Sequence, residues 1–313
     1  MIAGAYPLIR YFSKTSISIG SLWLLLALLL GACKPQQSAS PFGNQATQAI
    51  ENKGSDTLVN LALAWAEVFM ESHPEVCISV TGGGTGTGIA AMINGTVSIA
   101  NASREMKEEE IAAARANGIT PVEFVVARDA IAVVVNPSNP VQELTLKQIS
   151  DIYTGKITNW RELGGQDRPI VLLSRESNSG TYVYFLENVI RMGKKDNNLL
   201  FSPDTLLMPS SEGISTEVRQ NPNAIGYDGL GYVTQDQKLV AVARSPEGPY
   251  VLPSIQTVND GSYPISRPLY MYTAGEPTGH VRIFLDWVLT RGQMLVPRLG
   301  FVPLAQAPAE PKS

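Results

Sequence analysis

From about residue 50 onward, short apolar runs alternate with longer amphipathic runs, and this alternation limits the fold more than any other feature. "VCISVTG", "VSIANAS", "VEFVVA", "AIAVVVN", "PIVLLSR" and "RPLYMYT" have the length and apolar content of strands. Between them stand "LVNLALAWAEVFMES", "TGTGIAAMING", "KEEEIAAARANG", "LTLKQISDIYTG", "TYVYFLENVIRMG" and "ISTEVRQ", and "HVRIFLDWVLTRGQMLV" follows the last strand; all of these have helical period. In the first helix Leu58, Leu61, Ala62, Trp65, Val68 and Phe69 fall on one face, which is therefore expected to be buried. Such alternation implies an α/β fold with mixed, mostly parallel sheets flanked by helices. "VEFVVA" and "AIAVVVN" read as two successive strands. Cys77, inside the alternating "VCISV", is expected to be a buried structural thiol.

The first 32 residues are of another kind. Arg10 and Lys14 form a short basic region, and Ile17 to Leu30 is nearly all apolar. "LGAC" follows at residues 30–33. An apolar run with a basic flank and a small-residue cleavage point predicts a secretory signal over residues 1–32. "LGAC" resembles the lipobox of bacterial lipoproteins, which implies lipid on the sulfur of Cys33 and an exported protein tethered to a membrane. The alternative is a retained signal anchor with Cys33 incidental. Each acyl chain would hold the protein by about 0.8 kcal/mol per buried CH₂. Residues 33–49 are expected to form a tether, and 305–313 a disordered tail.

The chain has 24 Lys and Arg against 28 Asp and Glu, a formal net charge of −4, and no basic block, which excludes a nucleic-acid partner. With two histidines and two cysteines, one of them reserved for lipid, neither a zinc site nor a disulfide is expected. No other cofactor motif is present.

The chemistry concentrates where four strand-like runs turn toward helices, at "KGSDT", "GGGTGTG", "NASRE" and "RESNSGT". Each is rich in Ser, Thr, Gly, Asn or Asp. The first amides of a helix lack intrahelical partners, and with the helix dipole they favour negative charge. In open α/β sheets, loops at the carboxyl ends of strands hold ligands. Hydroxyls add donors, and Arg175 adds a planar charged fork. Together these suit a small tetrahedral oxyanion. Taken singly, each has a plainer reading: "GSDT" as N-capping, Arg175 as a surface ion-pair partner. "GGGTGTG" lacks the Gly-Lys-Ser/Thr of a P-loop.

With those loops goes a resemblance. "GSDTL", "GGGTGTGIAAMINGTVSIANASR", "IYTGKITNW", "RESNSGTYVYF", "NAIGYDGLGYV" and "YPISRPLYMY" together resemble the phosphate-binding proteins of bacterial phosphate ABC transporters, from about Glu51 to Leu304. The resemblance implies a two-domain periplasmic-binding-protein-like fold of type II that closes on one inorganic phosphate and delivers it to permease subunits. Domain one would comprise 50–127 and 264–304, and domain two 128–263. Arg175, Ser179, Gly180 and Thr181 match the family's phosphate contacts, and Thr85 matches a hydroxyl contact, with Gly86 and Thr87 beside it. In the first loop Ser55, Asp56 and Thr57 are each candidates. Some members carry an aspartate, which accepts the proton of hydrogen phosphate, where this chain reads Ser103-Arg104. Here Ser103 is expected at the anion, Arg104 either at it or turned away, and Asp56 is the candidate proton acceptor, its alternative role being an N-cap. A carboxylate there would repel sulfate, which has no proton to give. Sulfate or another oxyanion, or a sensing role without transport, are the alternative functions. Phosphoryl transfer would need an activated nucleophile or metal ions. His73 and His280 lie beside no candidate serine in the sequence, so no enzyme is expected.

Overall fold

The computed structural model describes residues 48–304. The expected signal sequence and tail lie outside the described residues, as does the tether except for Gln48 and Ala49, which open the first strand.

The first half of the fold holds β1 (Gln48–Gly54), α1 (Val59–Ser72), β2 (Val76–Thr81), α2 (Thr85–Ile93), β3 (Ile99–Ala102) and α3 (Glu108–Ala116). The long β4 (Val122–Val135) follows. The second half holds β5 (Glu143–Thr145), α4 (Leu146–Tyr153), β6 (Val171–Arg175), α5 (Gly180–Phe185), β7 (Leu206–Met208), α6 (Ser211–Gln220), β8 (Ala224–Gly229), β9 (Lys238–Leu239), β10 (Ala241–Ala243) and α7 (Ile255–Asn259). The chain then returns through β11 (Ser266–Thr273) to α8 (Gly279–Leu289). α5 runs on into a π-helical turn over Leu186–Ile190.

The main sheet is mixed, in the order β2-β1-β3-β11-β4-β8-β6-β7, with β9 also on β4. β1 is parallel to β2 and β3, and β6 is parallel to β7 and β8; β11 runs antiparallel to both its neighbours. The sheet is mixed because β11 is a return strand inserted between β3 and β4 and because β4 runs antiparallel to β8 and β9. The apolar faces follow. Leu58, Leu61, Trp65 and Phe69 of the first helical segment meet Phe284, Leu285 and Val288 of α8 on one face of the first half, and Ile89 and Met92 of α2 cover the other. In the second half Ile149, Tyr153, Phe185 and Tyr227 lie on one face, Ile214 and Val218 on the other.

Three expectations need correction. The two strands around Arg128-Asp129 are one, β4, which pairs with β11 from Val122 to Ala130 and with β8 from Ile131 to Val135. The charged dipeptide does not break it, because Asp129 is buried against Arg267 of β11. Cys77 is exposed: on edge strand β2, Val76 and Ile78 take the inward positions, and the period of two turns Cys77 outward. Val68 of α1 is also exposed, and Ala66 packs in the core instead.

Candidate anion-binding site

β1, β2 and β3 are parallel neighbours, so the loops that leave their carboxyl ends share one edge of the sheet. Gly54 at the end of β1 has φ 145°, and a Cβ there would lie 2.2 Å from the Asn101 carbonyl oxygen of β3. Only glycine lets the two chains come this close. Ser55 then sits at the cap of a short 3-10 turn over Asp56–Leu58, and its amide donates to Asn101 O at 2.9 Å. This turn places Thr57, buried, at the sheet edge. From the second half, β6 ends in Arg175, and Ser179 caps α5 by accepting the Thr181 amide at 3.2 Å.

The loops of the two halves meet here. Thr57 Oγ1 and Thr181 Oγ1 are 3.0 Å apart. Thr85 Oγ1 accepts the Ser103 amide at 3.1 Å and lies 3.3 Å from Ser103 Oγ. A Cβ on Gly180 would come within 2.5 Å of both Ser103 Oγ and Thr85 Oγ1. Thr57, Thr85, Ser103, Gly180 and Thr181 are therefore one buried cluster of hydroxyls and backbone at the start of α5. Arg175 is 1% exposed; its Nη2 donates to Asp56 Oδ2 at 2.6 Å and its Nη1 to Ser211 Oγ at 2.9 Å. Ser211 donates onward to Asp228 Oδ1 at 2.8 Å. Burial pushes the Asp228 carboxyl up to about 6, against the pull of Arg175 and the bonds from Ser211 and Gly229. Arg175 Nε and Ser55 Oγ are buried with no partner among the described residues. Buried polar groups are seldom left so, and both stand on loops of this cluster.

The sequence model of the PBP superfamily domain matches residues 40–291. The phosphate-binding protein PstS of Pseudomonas aeruginosa is 34% identical over 279 residues, covering 83% of this chain and 84% of the relative. PstS of Bacillus subtilis is 33% identical over 277 residues, covering 88% and 87%. A Clostridium perfringens protein solved with bound phosphate superposes with a TM-score of 0.73 at 35% identity, covering 82% of this chain and all, 100%, of that one. A phosphate transport receptor of the ABC type from Vibrio cholerae gives 0.65 at 28% identity, covering 82% and 100%. The chain belongs to the PstS family. Its α/β fold is the periplasmic-binding-protein-like one that the resemblance implied.

Within this PstS-family chain, the structure gathers Thr57, Thr85, Ser103, Ser179, Gly180 and Thr181, and brings Asp56 to Arg175. Two of the expected residues stand apart from the hydroxyl cluster. Thr87, half-buried, faces Asn178 Nδ2 at 3.5 Å, and the Gly86 amide donates to Asn178 O at 3.0 Å. Both serve contacts between the halves at the rim. Asp56 is not the N-cap; Ser55 holds that position, and Asp56 Oδ1 instead accepts the Gly83 amide at 2.9 Å. Nor is "NASRE" a helix start: α3 begins at Glu108, capped by Lys107, and Ser103 belongs to a bend before it. Arg104 is turned to Glu110, which it grips with both terminal nitrogens at 2.8 and 2.7 Å. Burial raises the Glu110 carboxyl, but the bonds from Arg104 and the Lys107 amide and their charges outweigh it and hold the group below its ordinary value.

A second buried arginine went unnoticed in the sequence. Arg267 of β11 pairs with Asp129 at 3.1 Å and donates to Thr57 Oγ1 at 3.3 Å, to Thr181 Oγ1 at 2.8 Å and to the Ser103 carbonyl at 2.9 Å. Burial raises the Asp129 carboxyl above its ordinary value, and Arg267 opposes the shift. The available signal was an acid, Asp129, in the largely apolar "VVARDAIAVVV" and a base, Arg267, in the largely apolar "PISRPLY". Among the described residues, no group of three or more His, Cys, Asp or Glu is placed to hold a metal ion.

Proposed function

We propose that this protein binds inorganic phosphate outside the cytoplasm and hands it to the permease subunits of an ABC transporter. The observation that carries the reading is the buried meeting of Thr57, Thr85 and Ser103 with the Ser179-Gly180-Thr181 start of α5, beside the Arg175–Asp56 pair. Hydroxyls and free amides would surround the four oxygens of a tetrahedral anion, and Arg175 would supply the charge-assisted bonds. Asp56 keeps a carboxylate beside that arginine and would take the proton of HPO₄²⁻, which discriminates against sulfate. Membership of the PstS family, with relatives named for phosphate binding and one solved with phosphate, supports the same anion.

The first and second halves would act as two domains. The chain crosses between them in β4, which changes partner there from β11 to β8, and again just before β11, so closure would bend the chain at these crossings and bring Thr181 onto Thr57. The protein would be a carrier with no catalytic step. His73 stacks on the ring of Phe69 at the far end of α1 from Thr57, where it activates no site hydroxyl. Lipid on Cys33 would keep the carrier beside its permease; no helix among the described residues is long and apolar enough to cross a membrane.

Titration calorimetry of the full chain in detergent, with phosphate, arsenate, sulfate and molybdate, tests the reading. Phosphate and the equally protonated arsenate should bind tightly and sulfate weakly. Sulfate binding as tight as phosphate, or no phosphate heat, would refute it.

A further inference from the structure

Arg267 and Asp129 face each other in register across β11 and β4. One residue further, at Ala130, β4 leaves β11, and at Ile131 it takes up β8. The pair thus sits at the crossing between the halves, with Arg267 2% and Asp129 0% exposed. Asp129 Oδ2 accepts from Nε at 3.3 Å and from Nη2 at 3.1 Å, so the charge of Arg267 is already matched inside the protein. Arg175 is also paired, with Asp56, but its Nε has no partner among the described residues. The remaining bonds of Arg267 go to oxygen atoms of the anion cluster.

Those bonds decide how two hydroxyls can be used. A hydroxyl has one proton to give and two lone pairs to accept with. Arg267 Nη2 occupies an acceptor position on both Thr57 Oγ1 and Thr181 Oγ1. The two oxygens are 3.0 Å apart, so one hydroxyl donates to the other. The second proton then has no acceptor among the described residues. Of the pair's two protons and four lone pairs, one proton and one lone pair are left, and that proton is what an anion oxygen can accept. Water or any neutral ligand could use either face of a freely turning hydroxyl; an oxyanion can use only the donor.

We propose that Arg267 is a positioning residue that, by occupying a lone pair on each of the linked Thr57 and Thr181 hydroxyls, leaves the pair's one free proton to the bound anion. Thr57 belongs to the first half and Thr181 to the second, so the linked pair forms only with the halves together, and Arg267 ties closure to the chemistry of recognition. This rests on the phosphate-binding reading above.

The test is a double-mutant cycle on the full chain, read by phosphate titration and thermal melting. Its members are wild type, Thr181→Val, the double variant Arg267→Met/Asp129→Asn, and the triple combination. Arg267 and Asp129 are changed together because either alone would strand a buried charge. Thr181→Val and Arg267→Met/Asp129→Asn should each weaken phosphate binding at least tenfold, with cooperative melting retained. The triple variant should be no more than a few-fold weaker than the poorer of the two, since an unpositioned hydroxyl has little left to lose. A brace for the fold alone would instead give losses that multiply, and that result overturns the proposal. So does unchanged affinity in a folded Arg267→Met/Asp129→Asn protein. If that variant fails to fold, Arg267→Lys decides: an ammonium keeps the pairing with Asp129, but as one nitrogen on a shorter side chain it cannot also reach the two hydroxyls. Affinity should still fall tenfold, and wild-type affinity in Arg267→Lys would sink the idea. Wild type that binds no phosphate defeats the parent reading and this inference with it; wild type that binds, with multiplying losses, defeats this inference alone.

Discussion

Gly180→Ala isolates closure from everything else at the site. The added methyl would lie 2.5 Å from Ser103 Oγ and 2.5 Å from Thr85 Oγ1, with Thr85 Cβ at 3.1 Å. Thr85 Oγ1 cannot turn aside without giving up its 3.1 Å bond from the Ser103 amide, so the 2.5 Å contact with it persists. Ordinary contact begins at 3.4 Å, so α5 must withdraw by about 1 Å. Withdrawal by that much stretches the 3.0 Å Thr57–Thr181 and 2.8 Å Arg267–Thr181 bonds beyond hydrogen-bonding range. A neutral buried bond contributes about 1 kcal/mol and one to a charged group about 1.5–3, so the closed state loses about 3 kcal/mol. At 1.4 kcal/mol per decade this is about a hundredfold in phosphate Kd. The fold itself should not suffer: Gly180 has no unusual φ, and alanine in a helix is favoured over glycine by about 1 kcal/mol. Phosphate titration and a melting curve on the same preparation separate the effects. Kd should rise about a hundredfold while Tm stays or rises slightly. An unchanged Kd would show that the halves need not approach as closely as the contacts of Gly180 require, and the closure argument would fail.

Arg175→Ala should weaken phosphate binding by at least ~2 kcal/mol, and Arg175→Lys should recover only part, because the fork is lost; an alanine variant with wild-type Kd would return Arg175 to a structural ion pair. Asp56→Asn should lower phosphate affinity and narrow the preference over sulfate, because the amide turns an NH₂ toward the anion in place of an acceptor; paired titrations at one pH and ionic strength would reveal undisturbed discrimination if Asp56 plays no part. Asp228 has its carboxyl raised by burial from 3.8 to about 6, so its ionised form destabilises the fold above about pH 6, and the penalty fades as pH falls through that value. Asp228→Asn should therefore melt above wild type at pH 8, with the gap closing toward pH 4; a gap independent of pH would contradict the assignment. Cys33→Ala should abolish fatty-acid labelling and membrane retention, and continued labelling would refute the lipobox reading.

Local rules carried the sequence reading a long way. The period of two and the period of 3.6 located most strands and helices, because burial of one face fixes both patterns. They failed where the deciding partner is distant in sequence. "VEFVVA" and "AIAVVVN" read as two strands, whereas Asp129 between them is accommodated by Arg267, 138 positions away. Cys77 was a question of phase, which the alternation in "VCISV" leaves open until the sheet has an inside. At the site the small residues were legible as loop chemistry, whereas the pairing of Thr57 with Thr181, 124 positions apart, exists only in the folded chain. Asp56 illustrates both sides. Its place near the helix start was evident, but its ion pair with Arg175 depends on two halves meeting.

The path of the chain through β4 and β11 also sets an order of events during synthesis. β11 lies between β3 and β4, so the sheet of the first half has a missing plank until residues 266–273 have left the ribosome. The segment in between is uninterrupted, and its ends are stitched side by side: the Ile131 amide donates to Ile265 O at 2.8 Å, and the Tyr263 hydroxyl to Ile131 O at 2.7 Å. The later-made second half can thus reach its native fold before the earlier-made first half is complete. A nascent chain with residues up to 265 outside the ribosome would lack β11 and leave β3 and β4 without the neighbour that joins them. Limited proteolysis of such a chain should find residues 48–130 open and 131–265 protected.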